Sequence, residues 1–177
     1  IQYDLTPYLQ ANNNVLIVKA DHTDYADSRY YTGSGLYRNV YLITQEEHHF
    51  SQWGVFFQTP EVSKEHATAK VSVEIENHGK ERSERIVEVN LKDNDGNSVA
   101  TSKQEISLRP DKENYLEFDL EINNPKLWSP DSPYLYNLEV NLVEGGTKVA
   151  AWNEKVGFRE FHFDADRGFF LNGENML

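Results

Sequence analysis

The feature that most constrains the fold is a stretch rich in both proline and aromatic residues, residues 124–136 (NPKLWSPDSPYLY). Its three prolines fix the backbone φ angle and remove three amide donors, so it can form neither the interior of a helix nor a central strand. It also carries five large apolar side chains, which is too much apolar surface for a free linker. We therefore predict a rigid crossover at one end of a β-sandwich, with Trp128 plugging the gap between the sheets and with structural roles for Trp128, Pro130 and Tyr136.

Apolar and polar residues alternate with period two on both sides of this crossover. Residues 116–122 lead into it and residues 136–142 leave it, and such alternation is typical of strands with one buried and one solvated face. Five further strands are predicted at residues 53–59, 71–76, 87–92, 99–108 and 147–158. Short strands with frequent turns, and no helical periodicity, predict an all-β fold with an immunoglobulin-like β-sandwich over residues 50–160.

The segments before and after the sandwich are also predicted to form short elements. Residues 4–9 (DLTPYL) place a proline in the first turn of a short helical segment, and the apolar runs 15–20 and 36–43 predict strands. Residues 161–173 hold an Asp-Arg-Gly and an Asn-Gly turn around a short apolar strand, which predicts a C-terminal β-hairpin. The chain is therefore predicted to divide into residues 1–49, 50–160 and 161–177.

Composition excludes several classes of partner. The net charge of −12 argues against nucleic acid and against an anionic membrane surface, because phosphate binding needs clustered Lys and Arg. No apolar run approaches the ~20 residues of a membrane span. The absence of cysteine excludes disulfides and thiolate metal sites. We expect a soluble chain, and the sequence leaves the choice between periplasm and cytoplasm open.

Polar clusters give no independent sign of an active site. Residues 93–97 (DNDGN) lack the glycine and glutamate spacing of an EF-hand, so we predict a hairpin turn there. His48 and His49 are neighbours on a strand end and point to opposite faces, so we expect solvated histidines that do not share a metal. Most carboxylates alternate with core residues and are expected on a solvated face. The residues alone therefore indicate no metal, no cofactor and no catalytic group.

Three motifs, in this order, resemble the non-catalytic front part of family 2 glycoside hydrolases, the β-galactosidase type. Residues 4–9, followed by residues 29–42 (RYYTGSGLYRNVYL), resemble the end of the jelly-roll sugar-binding domain. Residues 125–136 resemble the late crossover of the immunoglobulin-like second domain. Residues 156–173, with the motifs VGFR and GFFLNG, resemble the start of the TIM barrel.

This resemblance implies a fragment of a retaining exo-glycosidase of carbohydrate metabolism. Residues 1–49 would be the last strands of the jelly roll, residues 50–160 the sandwich, and residues 161–177 the start of a truncated barrel. Retaining enzymes use two carboxyl groups about 5–5.5 Å apart, and in this family both are glutamates of the barrel. The resemblance therefore implies no catalytic residue in this chain, and an inactive fragment.

The same resemblance implies a substrate-binding role for Arg29 and Tyr30. The loop before Gly33 can reach the sugar in family members, where an Arg forks two hydrogen bonds and an aromatic ring stacks on a sugar face. The alternative for Arg29 is a surface salt bridge.

Two functions from different classes stay open at this point. The chain is either a scaffold of a β-galactosidase-like hydrolase, whose full-length parent binds a carbohydrate substrate, or a stand-alone immunoglobulin-like carbohydrate-binding or adhesion module. We also expect a homodimer formed through the first ~48 residues, a length below that of a self-sufficient domain.

Overall fold

The computed structural model describes residues 2–23, 33–110 and 112–176. The chain divides into two compact units, Ile1–Ile43 and Thr44–Leu177. The second unit is almost entirely antiparallel sheet, so the prediction of an all-β fold is confirmed. In the described part of the chain, no helix has the length and apolar character of a membrane-spanning segment.

The described residues of the first unit form a single 3-10 helix, Thr6–Tyr8, at the predicted helical segment. The strands predicted at residues 15–20 and 36–43 are wrong, because the described backbone there pairs with no neighbouring strand. A strand requires a second chain segment for its amide and carbonyl groups, and local β propensity does not supply one. Apolar side chains such as Ile17 and Tyr37 are consequently exposed, at 83% and 85%.

The described residues of the second unit form ten strands, of which the first seven build the sandwich. Their bounds are β1 His48–Val62, β2 His66–Asn77, β3 Ser83–Lys92, β4 Ser98–Leu108, β5 Asn114–Asn123, β6 Tyr136–Glu144, β7 Thr147–Val156, β8 Phe161–Asp164, β9 Gly168–Leu171 and β10 Glu174–Asn175. Each strand predicted between residues 53 and 158 corresponds to one of β1–β7.

The sandwich packs two antiparallel sheets, ordered β1-β2-β5 and β4-β3-β6-β7. The chain changes sheet between β2 and β3, between β4 and β5, and again between β5 and β6, which is the connectivity of immunoglobulin-like sandwiches. In β2 every second residue is buried along the whole strand. The inner faces form one apolar core, whose fully buried members include Val71, Val73, Val89, Phe118, Leu138 and Phe158. Each such side chain contributes about 1.5–3 kcal/mol by leaving water.

Strand β1 is longer than the predicted segment, which ended at Pro60. It lies at the edge of its sheet, where a missing amide donor breaks no ladder, so Pro60 is accommodated in a register shift between Gln58 and Glu61. A second irregularity lies between Phe50 and Val55, where Trp53 adopts a φ of 56°. With these two irregularities, β1 stays paired with β2 from His48 to Val62.

Strands β8, β9 and β10 form a separate three-stranded antiparallel sheet after the sandwich. The predicted C-terminal hairpin corresponds to β8 and β9, and the short β10 extends it. At the first of its turns, Asp164 accepts the amides of Asp166 and Arg167 and pairs with the Arg167 guanidinium.

Candidate functional site

The proline-rich crossover between β5 and β6 is organised around Tyr136. Its side chain is 4% exposed, and its hydroxyl accepts the backbone amide of Lys126 at 2.8 Å. Its ring meets Tyr134 and Phe158 edge-on, with centroids 5.0 and 5.3 Å away. Burial is the main cause that raises the pKa of the Tyr136 hydroxyl, so it stays neutral. A tyrosine at this strand start, bonded back to upstream backbone, matches the tyrosine corner of immunoglobulin-like sandwiches.

Trp128 lies beside this corner and is half-buried. Its amide donates to the carbonyl of Phe158 at 2.8 Å, and the Arg159 guanidinium lies 5.0 Å from its ring centroid. Gly157 lets the backbone after β7 lie close to Trp128, because a Cβ at residue 157 would lie only 3.2 Å from the Cβ of Trp128. Tyr136 and Phe158 already fill the core at this end. The ring therefore flanks the core and does not plug the space between the sheets.

Pro130 is exposed within a tight turn, in which the Ser129 and Ser132 backbones exchange hydrogen bonds of 3.0 and 3.2 Å. A fixed φ suits such a turn. Structural roles for Trp128, Pro130 and Tyr136 remain predictions, which substitution can test.

Asn172 is the residue of this region that the sequence interpretation missed. It adopts a left-handed φ of 52°. Its backbone amide donates to the Glu160 carbonyl at 2.8 Å, and its side-chain Oδ1 accepts the Glu160 backbone amide at 3.1 Å. Its Nδ2 donates to the Trp128 carbonyl at 3.0 Å. The only signal in the sequence was the Asn-Gly turn at residues 172–173, which predicted the left-handed backbone and not the side-chain contacts. Asn172 thus joins the C-terminal sheet to the crossover.

A shallow cleft of about 310 Å³ opens beside Tyr136 and includes two carboxylates, those of Asp93 and Glu121. Asp93 caps the turn between β3 and β4: its carboxylate accepts the amides of Asp95 and Asn97 and the side-chain amide of Asn97. These bonds, that of the Asn97 side chain first, hold the pKa of Asp93 below its usual value. A general acid needs a raised pKa, so this carboxylate fits a turn cap and not a catalytic acid.

The histidines at the start of β1 occupy different surroundings from the predicted ones. His48 faces inward, with Nδ1 2.9 Å from the Arg85 guanidinium and Nε2 3.1 Å from the Asn77 side chain. His49 faces outward, towards Glu76 and His78. The opposite orientations were predicted, but the solvated environment was wrong, since both are partly buried. Strand pairing with β2 supplies partners that neighbouring residues do not reveal.

Arg29 and Tyr30, the predicted substrate-binding residues, lie outside the described residues.

The hairpin turn at residues 93–97 is present as predicted.

Comparison with known proteins bears directly on this sandwich. The family model described as glycosyl hydrolases family 2 matches residues 54–159, which is more than half of the chain. The chain belongs to glycosyl hydrolase family 2. The match runs from within β1 to the residue after Phe158, so it covers most of β1, all of β2–β7 and the crossover.

Individual relatives agree with this family assignment. A β-galactosidase of Bacteroides ovatus, BoGH2A, is 34% identical over 97% of this chain, and the aligned part is 20% of that enzyme. A putative β-glucuronidase of Formosa agariphila is 30% identical over 99% of this chain and 16% of its own length. The crystal structure of a β-glycosidase from Bacteroides vulgatus superposes with a TM-score of 0.78, at 34% identity, over 97% of this chain and 21% of that one. This family 2 chain thus spans about a fifth of the length of the relatives it matches.

Proposed function

We propose that this chain is a non-catalytic scaffold of a retaining family 2 glycoside hydrolase, which as a whole protein removes terminal sugar residues from carbohydrate substrates. The observation that carries the proposal is the family match over nearly all of the sandwich, combined with a span of about a fifth of the length of the relatives. The relatives are named as β-galactosidases and β-glucuronidases, so β-galactosides and β-glucuronides are the substrate classes to test.

In this proposal the division predicted from the sequence is retained. Residues 1–49 belong to a sugar-binding domain, residues 50–160 form the sandwich and residues 161–177 begin the catalytic barrel. Arg29 and Tyr30 contact the sugar from the loop before Gly33. The scaffold role is supported by the crossover, where Asn172 bonds the C-terminal sheet to Trp128 and Glu160 and so holds that sheet in a defined position.

The chemistry of the described carboxylates supports a non-catalytic role. Retaining glycosidases need one ionised nucleophile and one protonated acid about 5–5.5 Å apart. Among the described residues, the carboxyl groups with a resolved pKa shift, those of Asp21, Glu76, Asp93 and Asp164, are all shifted downwards. Each is therefore stabilised as the anion, and none has the raised pKa of a proton donor.

The test compares the chain with the longer product that the proposal implies for its gene. We expect the purified 177-residue chain to show no turnover of chromogenic galactosides, glucuronides or mannosides, while the longer product hydrolyses at least one of them. Protein-dependent hydrolysis by the short chain that survives repurification would overturn the scaffold role. Carbohydrate binding by the 177-residue chain itself, with no hydrolysis by the longer product, would favour the stand-alone binding module instead.

A further inference from the structure

Three side chains with metal-binding chemistry meet on the outer face of the sandwich, where β1 begins and β2 ends. They are His49 of β1, Glu76 of β2 and His78, the second residue after Glu76. His49 is the direct cross-strand partner of Glu76 in the antiparallel ladder. His78 lies on the same face as Glu76, because side chains two residues apart share a face in extended backbone. Its amide donates to the Glu47 carbonyl at 2.9 Å, which continues the pairing past the end of β2.

The donor atoms of these side chains converge. Nε2 of His78 lies 2.6 Å from Oε2 of Glu76, and Nε2 of His49 lies 3.7 Å from the same oxygen. The two imidazole rings are stacked, 5.2 Å apart and inclined by 10°, and one donor atom from each residue lies within 4.8 Å of the others. Bonds of ~2.0–2.1 Å in a tetrahedral zinc site place neighbouring donors about 3.3 Å apart. The two measured separations lie on either side of this value, and metal binding would displace the proton shared by His78 Nε2 and Glu76 Oε2.

His49 is already oriented for coordination. Its Nδ1 lies 2.7 Å from the carbonyl oxygen of Glu46. A carbonyl can only accept a hydrogen bond, so in the neutral imidazole Nδ1 carries the proton and Nε2, on the side of Glu76, keeps the lone pair. Metal-bound histidines in proteins are held by this kind of second contact, which fixes both tautomer and ring angle. The side chain is 15% exposed, so its position is set by packing as well.

We propose that His49, Glu76 and His78 form a binding site for a divalent transition-metal ion of the zinc type. Two imidazole nitrogens and one carboxylate oxygen suit Zn²⁺, and they disfavour Mg²⁺ and Ca²⁺, which take mainly oxygen ligands. The Glu76 and His78 side chains are 42% and 58% exposed, so the outer side of the site is open to water as a fourth ligand. The bound ion links the first residues of β1 to the turn between β2 and β3.

The chain contains a matched control for this site. His162 lies with Nδ1 3.0 Å from Oε1 of Glu160, and these side chains are 49% and 40% exposed. This pair has the residue types, spacing and exposure of His78 and Glu76. The two pairs differ in what the histidine ring stacks on: the His162 ring stacks on Phe170, whereas the His78 ring stacks on His49. Among the described residues, this pair belongs to no group of three converging ligand atoms, so it serves as a surface His–Glu control in the same molecule.

Isothermal titration of the untagged 177-residue chain with Zn²⁺ tests the proposal, with Co²⁺ absorption as a report on coordination geometry. We expect one tight equivalent of Zn²⁺ per chain and a tetrahedral or five-coordinate Co²⁺ spectrum. His78→Gln and Glu76→Gln should each weaken Zn²⁺ binding by more than about tenfold, because the loss of even an outer-shell partner costs about 10–100-fold. His162→Gln should leave the affinity unchanged.

Three results would overturn the site. They are the absence of Zn²⁺ binding at micromolar concentrations, binding that is unchanged in both His78→Gln and Glu76→Gln, and an equal loss of affinity in His162→Gln. Circular dichroism establishes that each variant is folded. If His78→Gln is not folded, the isosteric Glu76→Gln decides the question alone.

Discussion

Replacing Tyr136 by phenylalanine tests whether the hydroxyl, and not merely the ring, holds the crossover. The substitution keeps the edge-on contacts with Tyr134 and Phe158 and opens no cavity, so only the bond to the Lys126 amide is lost. A net hydrogen bond contributes about 0.5–1.5 kcal/mol, and a donor left unpaired in a partly buried place costs about 1–3 kcal/mol. We expect Tyr136→Phe to lower the free energy of unfolding of the sandwich by about 1–2 kcal/mol.

Tyr115→Phe makes the same chemical change at an exposed position of β5. The Tyr115 ring is 53% exposed, and its hydroxyl lies 2.9 Å from Ser72 Oγ and donates to Glu117 Oε1 at 2.8 Å. Water can replace these contacts, so we expect a change within about 0.5 kcal/mol. The pair of variants separates the value of a buried hydroxyl from that of a tyrosine hydroxyl in general.

Equilibrium urea unfolding, followed by tryptophan fluorescence, measures both variants. All three tryptophans of the chain lie in the second unit, so the signal reports on the sandwich. The reasoning would be refuted if Tyr136→Phe unfolded at the wild-type midpoint with an unchanged slope, or if Tyr115→Phe lost as much stability. The first result would mean that solvent satisfies the amide of Lys126 equally well, and the second that burial adds nothing to the value of a tyrosine hydroxyl.

Three further predictions concern the joint, the turn and the first unit. Asn172→Ala should increase hydrogen exchange and proteolysis in β8–β10 while leaving the sandwich amides protected, because it removes both side-chain bonds and strains a φ of 52°. The pKa of Asp93 is lower in the folded state than in the unfolded state. The ionised carboxylate therefore stabilises the fold at pH values above the unfolded pKa, and this stabilisation is lost as the pH falls through the folded pKa. Asp93→Asn should accordingly flatten the acid side of a curve of unfolding free energy against pH. Light scattering should show the full chain as a dimer and a version starting at residue 44 as a monomer, and a monomeric full chain or an unchanged oligomeric state after trimming would contradict self-association.

The sandwich could be predicted from the sequence because its strands have one buried face. In β2 and β5 the apolar residues occupy every second position, so the pattern alone decides both the element and the buried side. The turn at residues 93–97 was equally local, since Asp and Gly determine its backbone. Pro60 misled the prediction of β1, because its effect depends on whether the strand lies at the edge of the sheet, and strand order is not a local property.

The candidate sites depended on strand register, which the sequence pattern does not supply. His49 meets Glu76 only because β1 and β2 pair with residue 49 opposite residue 76, and a shift of one residue would turn His49 to the other face. The failure of the strands at residues 15–20 and 36–43 has a related cause. Their composition favours extended backbone, but the hydrogen-bonding partners that would make them strands are not among the described residues of the first unit.

The crossover that constrains the fold also fixes where the chain leaves the sandwich. Its prolines restrict the backbone around Trp128, whose amide is bonded to Phe158 and whose carbonyl accepts the Asn172 side chain. The end of the core and the C-terminal sheet are therefore both hydrogen-bonded to the backbone of Trp128, one through its amide and the other through its carbonyl. Loosening this crossover should change the position of β8–β10 before it unfolds the core, because the core is filled by Tyr136 and Phe158 and not by the Trp128 ring.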